Sequence, residues 1–122
     1  MGLEGKILKA RWTKLYATAH NHVAVGIVLE ETPQYLVMMC KTYHYSKMLG
    51  GKNGVLASGE YVGGIREGEK GVRIIPWDKI EVINQLPDDT EWDVPAYVEE
   101  SGICYLDNKY KTLIAHSSMS DV

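Results

Sequence analysis

The stretch VRIIPWDKIEVI, residues 72–83, limits the possible folds more than any other part of the chain. Half of its residues are Val or Ile, whose β-branched side chains pack well on a pleated sheet. Pro76 has a fixed φ angle and no backbone N–H, so it ends the first of two apolar segments. Because the link between the segments is too short for a helical crossover, the chain must turn sharply there. The stretch therefore predicts two short buried strands, 72–75 and 80–83, joined at a corner of the kind found in small β-barrels.

The composition predicts a single soluble domain. A chain of 122 residues, 45% of them hydrophobic, can bury a small core. No apolar run approaches the roughly 18 residues of a membrane span, and the N-terminus lacks the apolar stretch of a signal peptide. We therefore expect a cytoplasmic protein with no membrane partner. Cys40 and Cys104 stand alone in apolar segments, which favours buried free thiols over a disulfide.

The charges are unevenly distributed along the chain. Residues 1–83 carry 11 Lys and Arg against 8 Asp and Glu, whereas residues 84–122 carry 2 against 8. The overall net charge of −3 argues against a simple basic nucleic-acid-binding protein. The acidic C-terminal part has two possible roles: it is a solvated segment that aids solubility, or it covers a basic surface of the rest of the protein.

Two further strands are predicted before the 72–83 stretch. The alternating apolar residues of HVAVGIVLEE predict a strand over 22–31, in which Gly26 marks a bend or a close backbone approach. A turn at 32–34 contains Pro33 and is followed by a long strand over 35–45. These segments together predict a mainly β protein.

The remaining segments are less regular. The N-terminal residues fit a helical stripe or an alternating strand, and we assign a short helix over about 3–10 and a strand over about 12–19. Residues 49–71 contain eight glycines and predict a long excursion between strands. Asp93 is a plausible N-cap for a short helix over about 94–101, and a hairpin that turns at Asp107-Asn108 follows it.

The chain contains no catalytic signature. There is no nucleophile elbow and no triad order, so we expect no enzymatic activity and no cofactor. His20 and His22 would share a strand face, but the further ligands of a metal site are not visible. In the run KTYHYSK, Lys41 and Lys47 alternate with two tyrosines on one face. Such a face suits single-stranded nucleic acid, although a half-buried strand or a subunit contact would have the same pattern.

Taken together, these elements resemble an Sm-like (LSm-like) protein. That family has an N-terminal helix and five bent strands in two sequence blocks. Here HVAVGIVLEETPQYLVMM is similar to the first block, with Gly26 as its mid-strand glycine, and RIIPWDKIEVI is similar to the second. The resemblance covers about residues 3–84, with the glycine-rich segment between the blocks, and residues 85–122 have no counterpart in it.

The resemblance implies a fold and an assembly. It implies a small, strongly bent, five-stranded barrel over 1–84 with a short N-terminal helix, to which 85–122 add an acidic C-terminal extension within the same domain. Sm-like proteins form closed rings by pairing strand edges between subunits, so a cyclic homo-oligomer is implied as well. We expect the edges to be the last barrel strand, with Val82 and Ile83, and the strand before the glycine-rich segment.

The resemblance also implies a place for single-stranded RNA, between the first turn and the corner after Pro76. Sm proteins usually carry Asp and Asn around the first turn, where this chain has Thr32-Pro33-Gln34-Tyr35, and Arg-Gly where it has Pro76-Trp77. The expected RNA-binding residues are Tyr35, Trp77, Lys79, Lys41 and Lys47. The alternative function is a structural or scaffolding oligomer without a nucleic-acid ligand.

Overall fold

A computed structural model describes residues 2–13, 21–45, 65–99 and 103–116. These residues form a mainly β structure, as the sequence predicts. The strands are β1 (Ile7–Trp12), β2 (Asn21–Glu31), β3 (Tyr35–Tyr45), β4 (Ile65–Glu67), β5 (Gly71–Pro76), β6 (Ile80–Gln85), β7 (Ala96–Val98), β8 (Ile103–Leu106) and β9 (Leu113–His116), and a single 3-10 turn (Trp77–Lys79) joins β5 to β6.

The larger sheet is antiparallel and five strands wide. Its order is β4-β3-β2-β1-β6, and β5 also pairs with β3, so β4 and β5 lie along different halves of the same strand. The strands predicted over 22–31, 35–45, 72–75 and 80–83 are confirmed, together with the tight connection after Pro76. Among the described residues, β6 and the β4–β5 side do not pair with each other, so the described sheet is open.

The larger sheet curves around an apolar cluster on its inner face. This inner cluster consists of Leu8, Ala24, Val28, Leu36, Met38, Cys40 and Ile75. Ile83 of β6 packs against it from the edge opposite to Ile75 of β5, so the two edges bend toward the same core. At the centre, a Cβ on Gly26 would lie 2.0 Å from the Met39 carbonyl oxygen. The predicted close backbone approach at Gly26 is therefore confirmed.

The predicted N-terminal helix over 3–10 is wrong. Residues 7–12 form β1, which pairs with β2 on one side and β6 on the other. Neighbouring residues Ile7 and Leu8 are both buried, which is possible for a strand only when both of its faces are covered. That double covering gives the segment its helix-like apolar spacing. The strand predicted over 12–19 lies mostly outside the described residues.

The C-terminal part forms a second, three-stranded antiparallel sheet in the order β7-β8-β9. The hairpin predicted near Asp107-Asn108 is confirmed as the β8–β9 connection. The helix predicted over 94–101 is wrong, because residues 96–98 pair with β8 as β7. Asp93 does not cap a helix; its carboxylate lies 2.8 Å from the Lys70 ammonium.

The second sheet packs on the outer face of the larger sheet. Val23, Val25 and Tyr43 of the larger sheet form an outer cluster with Cys104, Leu106 and Ile114 of the second. Leu86, Trp92, Val94 and Ala96 pack against this cluster from the connecting segment and β7. The larger sheet thus has an apolar core on each face, and Cys40 and Cys104 are buried free thiols, one in each core.

The 72–83 stretch is less buried than its composition predicts. Of its apolar residues, only Ile75 is fully buried, while Val72, Ile74 and Val82 are 52%, 66% and 40% exposed. The reason is topological, since β5 and β6 lie at the two edges of the larger sheet. The expectation that the strand before the glycine-rich segment is an edge is wrong, because β3 lies between β2 and the β4–β5 pair; β6 is an edge, as predicted.

Candidate functional site

The turn before β3 and the corner after β5 lie next to each other. Tyr35 is opposite Pro76 in the β3–β5 register. The Trp77 backbone N–H donates a hydrogen bond to the Gln34 carbonyl at 3.1 Å, and its indole Nε1–H donates to the Thr32 carbonyl at 2.8 Å. Three of the predicted RNA-binding residues, Tyr35, Trp77 and Lys79, therefore belong to adjoining segments.

The three residues differ in what they offer a ligand. Trp77 is half-buried and packs against the inner cluster, so much of its indole surface is committed to the fold. Tyr35 is half-buried, and the Thr32 hydroxyl oxygen accepts a hydrogen bond from its backbone N–H at 3.0 Å. Lys79 is exposed. This turn–corner site consequently offers part of two aromatic rings and one solvent-facing ammonium.

Lys41 does not join that group. It is six residues from Tyr35 along β3, a distance of about 20 Å. Its ammonium forms an ion pair with Glu67 and donates a hydrogen bond to the Val94 carbonyl at 3.2 Å, and its side chain is only 13% exposed. Lys41 thus connects β3 to β4 and to the C-terminal part. Lys47 lies outside the described residues.

A pocket of about 380 Å³ lies at the other end of β3. The described residues that line it are Trp12, His22, Thr42, His44, Gly68 and Arg73. His22 and His44 face each other in the β2–β3 register, with their rings stacked in parallel at 4.1 Å, and the Trp12 ring meets His22 edge-on at 5.9 Å. The strand alternation puts these residues on the same face as the inner cluster, so the pocket continues that core toward solvent.

The sequence alone does not predict this pocket, because its residues come together across strands. The sequence draws attention to His20 and His22, which are two positions apart, whereas the actual neighbours are His22 and His44, 22 positions apart. The β2–β3 register could have indicated the pair, but only if the number of residues in the turn between those strands had been counted. His20 lies outside the described residues.

The titratable groups in the two cores have pKa values that are raised by burial. Burial raises the pKa of the Cys40 and Cys104 thiols to about 11, and burial, reinforced by the Glu67 carboxylate, also raises the pKa of Tyr43. A thiol with a raised pKa is a poor nucleophile. In the described ranges, no group of three or more His, Cys, Asp and Glu residues is close enough to hold a metal ion.

The C-terminal part contacts several lysines of the larger sheet. The Lys6 ammonium lies 3.8 Å from Asp88, and the Lys70 ammonium lies 2.8 Å from Asp93. Lys9, whose pKa is lowered by burial, donates a hydrogen bond to the Leu113 carbonyl at 2.7 Å. Together with the Lys41 bond to Val94, these contacts show that the acidic segment covers part of the basic surface of residues 1–83.

No protein-family model matches the chain, and neither a curated protein sequence nor a solved structure matches it. Within the described residues, no helix has the length and apolar character needed to cross a membrane.

Proposed function

We propose that the protein is a non-enzymatic, Sm-like homo-oligomer that assembles into a ring through its two sheet edges. The observation that carries this proposal is the exposure of Val72 and Ile74 on β5 and of Val82 on β6. Among the described strands of the larger sheet, each of these two is paired on one side only. An exposed edge strand with apolar side chains is a template for pairing with another chain.

The two edges differ from each other, and this difference favours a ring. A dimer that pairs β5 with β5 leaves both β6 edges open, whereas pairing of β5 with the β6 of a second copy uses both edges in every subunit. Such head-to-tail contacts are heterologous and close into a ring when the rotation between subunits permits. The bend of both edges toward the inner cluster supports the small Sm-like barrel that the sequence resembles.

Light scattering coupled to size exclusion tests the assembly at micromolar protein concentration. The wild-type protein should elute as an oligomer, and Ile74→Lys or Val82→Lys should each shift it toward the monomer, because a lysine on an edge strand disfavours pairing with another chain. Leu29→Lys is the matched control, since Leu29 is exposed but belongs to the internal strand β2. A monomeric wild-type protein would reject the proposal.

Single-stranded RNA is the second candidate, as a ligand of the same ring. The adjacency of Tyr35, Trp77 and Lys79 at the turn–corner site supports it, because an aromatic face next to a cation suits an unpaired base and its phosphate. Lys79 is the one exposed cation among the described residues of this site, so the dependence of binding on salt should be shallow for each subunit and increase with ring size. The scaffolding role needs no such ligand.

A salt titration of binding to a short single-stranded RNA separates the two roles. Lys79→Gln should weaken RNA binding, whereas Lys109→Gln, which changes an exposed lysine paired with Asp89 in the C-terminal part, should not. No RNA binding at about 50 mM salt, where phosphate contacts are strong, would leave the scaffolding role. The cytoplasmic location stays a prediction from the sequence.

A further inference from the structure

The pocket lies at the end of β3 that is opposite to Tyr35. His44 is nine residues from Tyr35 along the same strand, a distance of about 30 Å. A ligand between the histidine pair and Arg73 would therefore lie far from Tyr35, whereas the Trp12 wall is opposite Ile80 of β6, next to the end of the 3-10 turn. Its volume of about 380 Å³ falls in the range of about 300–1,000 Å³ that is typical of small-molecule sites.

The pocket walls combine aromatic rings with one cation. Trp12, His22 and His44 are each half-buried, so part of every ring faces the cavity. Arg73 extends from the inner face of β5, on the same side as Ile75, and its charge partly offsets the effect of burial on the pKa of Cys40. No carboxylate is among the described residues that line the pocket.

The pocket also has a fixed polar wall. Thr42 is 8% exposed, and its carbonyl accepts a hydrogen bond from the Gly68 backbone N–H at 2.7 Å. A Cβ on Gly68 would lie 2.6 Å from the Thr42 hydroxyl oxygen, so a glycine is needed for the segment between β4 and β5 to approach β3 this closely. Thr42 thus adds a polar group to the pocket lining, held against the segment that contains Gly68.

We propose that this pocket binds a small planar aromatic molecule that carries an anionic group, a phosphate or a carboxylate. The ring of the ligand packs against the aromatic walls, as aromatic groups do in offset or edge-to-face pairs. The anionic group lies at the rim, where the Arg73 guanidinium presents a planar fork of donors that suits a phosphate or carboxylate. This binding does not depend on oligomer formation or on RNA binding.

Isothermal titration calorimetry with AMP and with benzoate as probes tests the proposal. AMP contains a ring and a phosphate, and benzoate a ring and a carboxylate; adenosine and inorganic phosphate each lack one half. We expect AMP or benzoate to bind, adenosine and phosphate to bind at least several-fold more weakly than AMP, and the affinity to fall as the salt concentration rises. The ring signals of His22 and His44 should shift in NMR spectra when the probe is added.

Two substitutions locate the bound probe. Arg73→Gln should weaken binding of the charged probe about tenfold, as expected for the loss of one charge-assisted contact. Trp12→Leu should weaken it through the loss of an aromatic wall. Lys109→Gln is the matched control, because it removes an exposed cation that pairs with Asp89 in the C-terminal part and does not line the pocket, so it should leave the affinity unchanged.

Three results would overturn the proposal. The first is no binding of either charged probe at about 1 mM. The second is equal affinity for AMP and adenosine, which would remove the role of the anion. The third is binding that Arg73→Gln and Trp12→Leu both leave unchanged. Arg73 is exposed, so its substitution leaves folding intact and keeps the test valid even if Trp12→Leu is destabilised.

Discussion

The outer face of the larger sheet and its two edge strands both carry β-branched apolar side chains. These side chains differ in how far they are buried. On the outer face, Val23 and Val25 are covered by the C-terminal sheet and are buried. At the edges, Val72, Ile74 and Val82 remain exposed. The C-terminal part therefore covers the apolar residues at the middle of the sheet and leaves those of the edge strands exposed.

Polar contacts also differ between the surface that the C-terminal part covers and the edge strands. Lys6, Lys9, Lys41 and Lys70 of the larger sheet are all bonded to the C-terminal part. On the edge strand β6, by contrast, Glu81 pairs with Arg11 of the neighbouring strand β1, so this ion pair stays within the larger sheet. The outer cluster and these four lysine contacts thus hold the C-terminal part on the larger sheet. No comparable set of contacts covers the edges in the described residues.

The largest loss of stability should come from a substitution at Gly26, which lies on β2, the middle strand of the larger sheet. Gly26→Ala would place a methyl group 2.0 Å from the Met39 carbonyl oxygen, so β2 and β3 must separate. We expect the free energy of unfolding to fall by about 3 kcal/mol or more, measured by urea denaturation.

Gly71→Ala is the matched control, because Gly71 also lies opposite Cys40 but on the edge strand β5. Of the residues that the structure describes, a Cβ there would meet only the flexible Arg73 side chain, at 3.7 Å. A similar loss of stability in both variants would contradict the idea that the centre of the sheet is tightly packed and its edge is open.

The second prediction compares a covered residue with an open one in the C-terminal sheet. Leu106 is fully buried in the outer cluster, and Leu113 on the adjacent strand is exposed. Leu106→Ala should lower the free energy of unfolding by about 2–5 kcal/mol, because it leaves a cavity between the two sheets. Leu113→Ala should change it by no more than about 0.5 kcal/mol. If both variants were equally stable, the C-terminal sheet would not be part of the cooperative fold.

The third prediction concerns Lys41, whose ammonium links β3, β4 and the C-terminal part. Lys41→Met should lower the free energy of unfolding by about 1–3 kcal/mol, because Glu67 and the Val94 carbonyl lose a charged partner in a partly buried place. Lys70→Met removes the exposed pair with Asp93 and should have no measurable effect. A Lys41→Met variant of unchanged stability but weaker RNA binding would return Lys41 to the RNA-binding set.

The fourth prediction uses the two thiols as reporters of the two cores. Burial raises the pKa of both to about 11, so near neutral pH each is protonated and reacts with a thiol reagent only when its surroundings open. Cys104 belongs to a sheet of three short strands, whereas Cys40 lies on β3, an internal strand of the larger sheet. Cys104 should therefore be labelled first under native conditions, as mass spectrometry of the digested protein can show. Labelling of Cys40 first would mean that the larger sheet opens more easily.

The same pKa shifts predict how stability depends on pH. Each thiol loses its proton in the unfolded chain near its ordinary pKa of 9.0 but keeps it in the folded protein until about pH 11. Above pH 9 the unfolded state therefore binds fewer protons than the folded state, and the free energy of unfolding should fall as the pH rises toward 11. The double variant Cys40→Ala, Cys104→Ala should show a smaller decline over that interval.

The sequence by itself determined the strands around the first turn and the corner. The alternation in HVAVGIVLEE, the apolar run before Lys41 and the β-branched residues on each side of Pro76 correctly predict β2, β3, β5 and β6. Gly26 correctly indicates the close approach of two backbones, because only a glycine fits there. These signals are local, since strand alternation and the fixed φ angle of proline need no knowledge of the neighbouring strand.

Only the tertiary structure decided which apolar residues are covered. The apolar residues of 3–10 have helix-like spacing because β1 is packed on both faces. The sequence of residues 72–83 is that of buried strands, although β5 and β6 lie at the edges of the sheet. The pairing of His22 with His44 and the burial of Lys41 depend in the same way on strand register and on the position of the C-terminal sheet. The sequence of a single strand cannot specify these features, because its burial and side-chain contacts depend on which strand lies beside it and in what register.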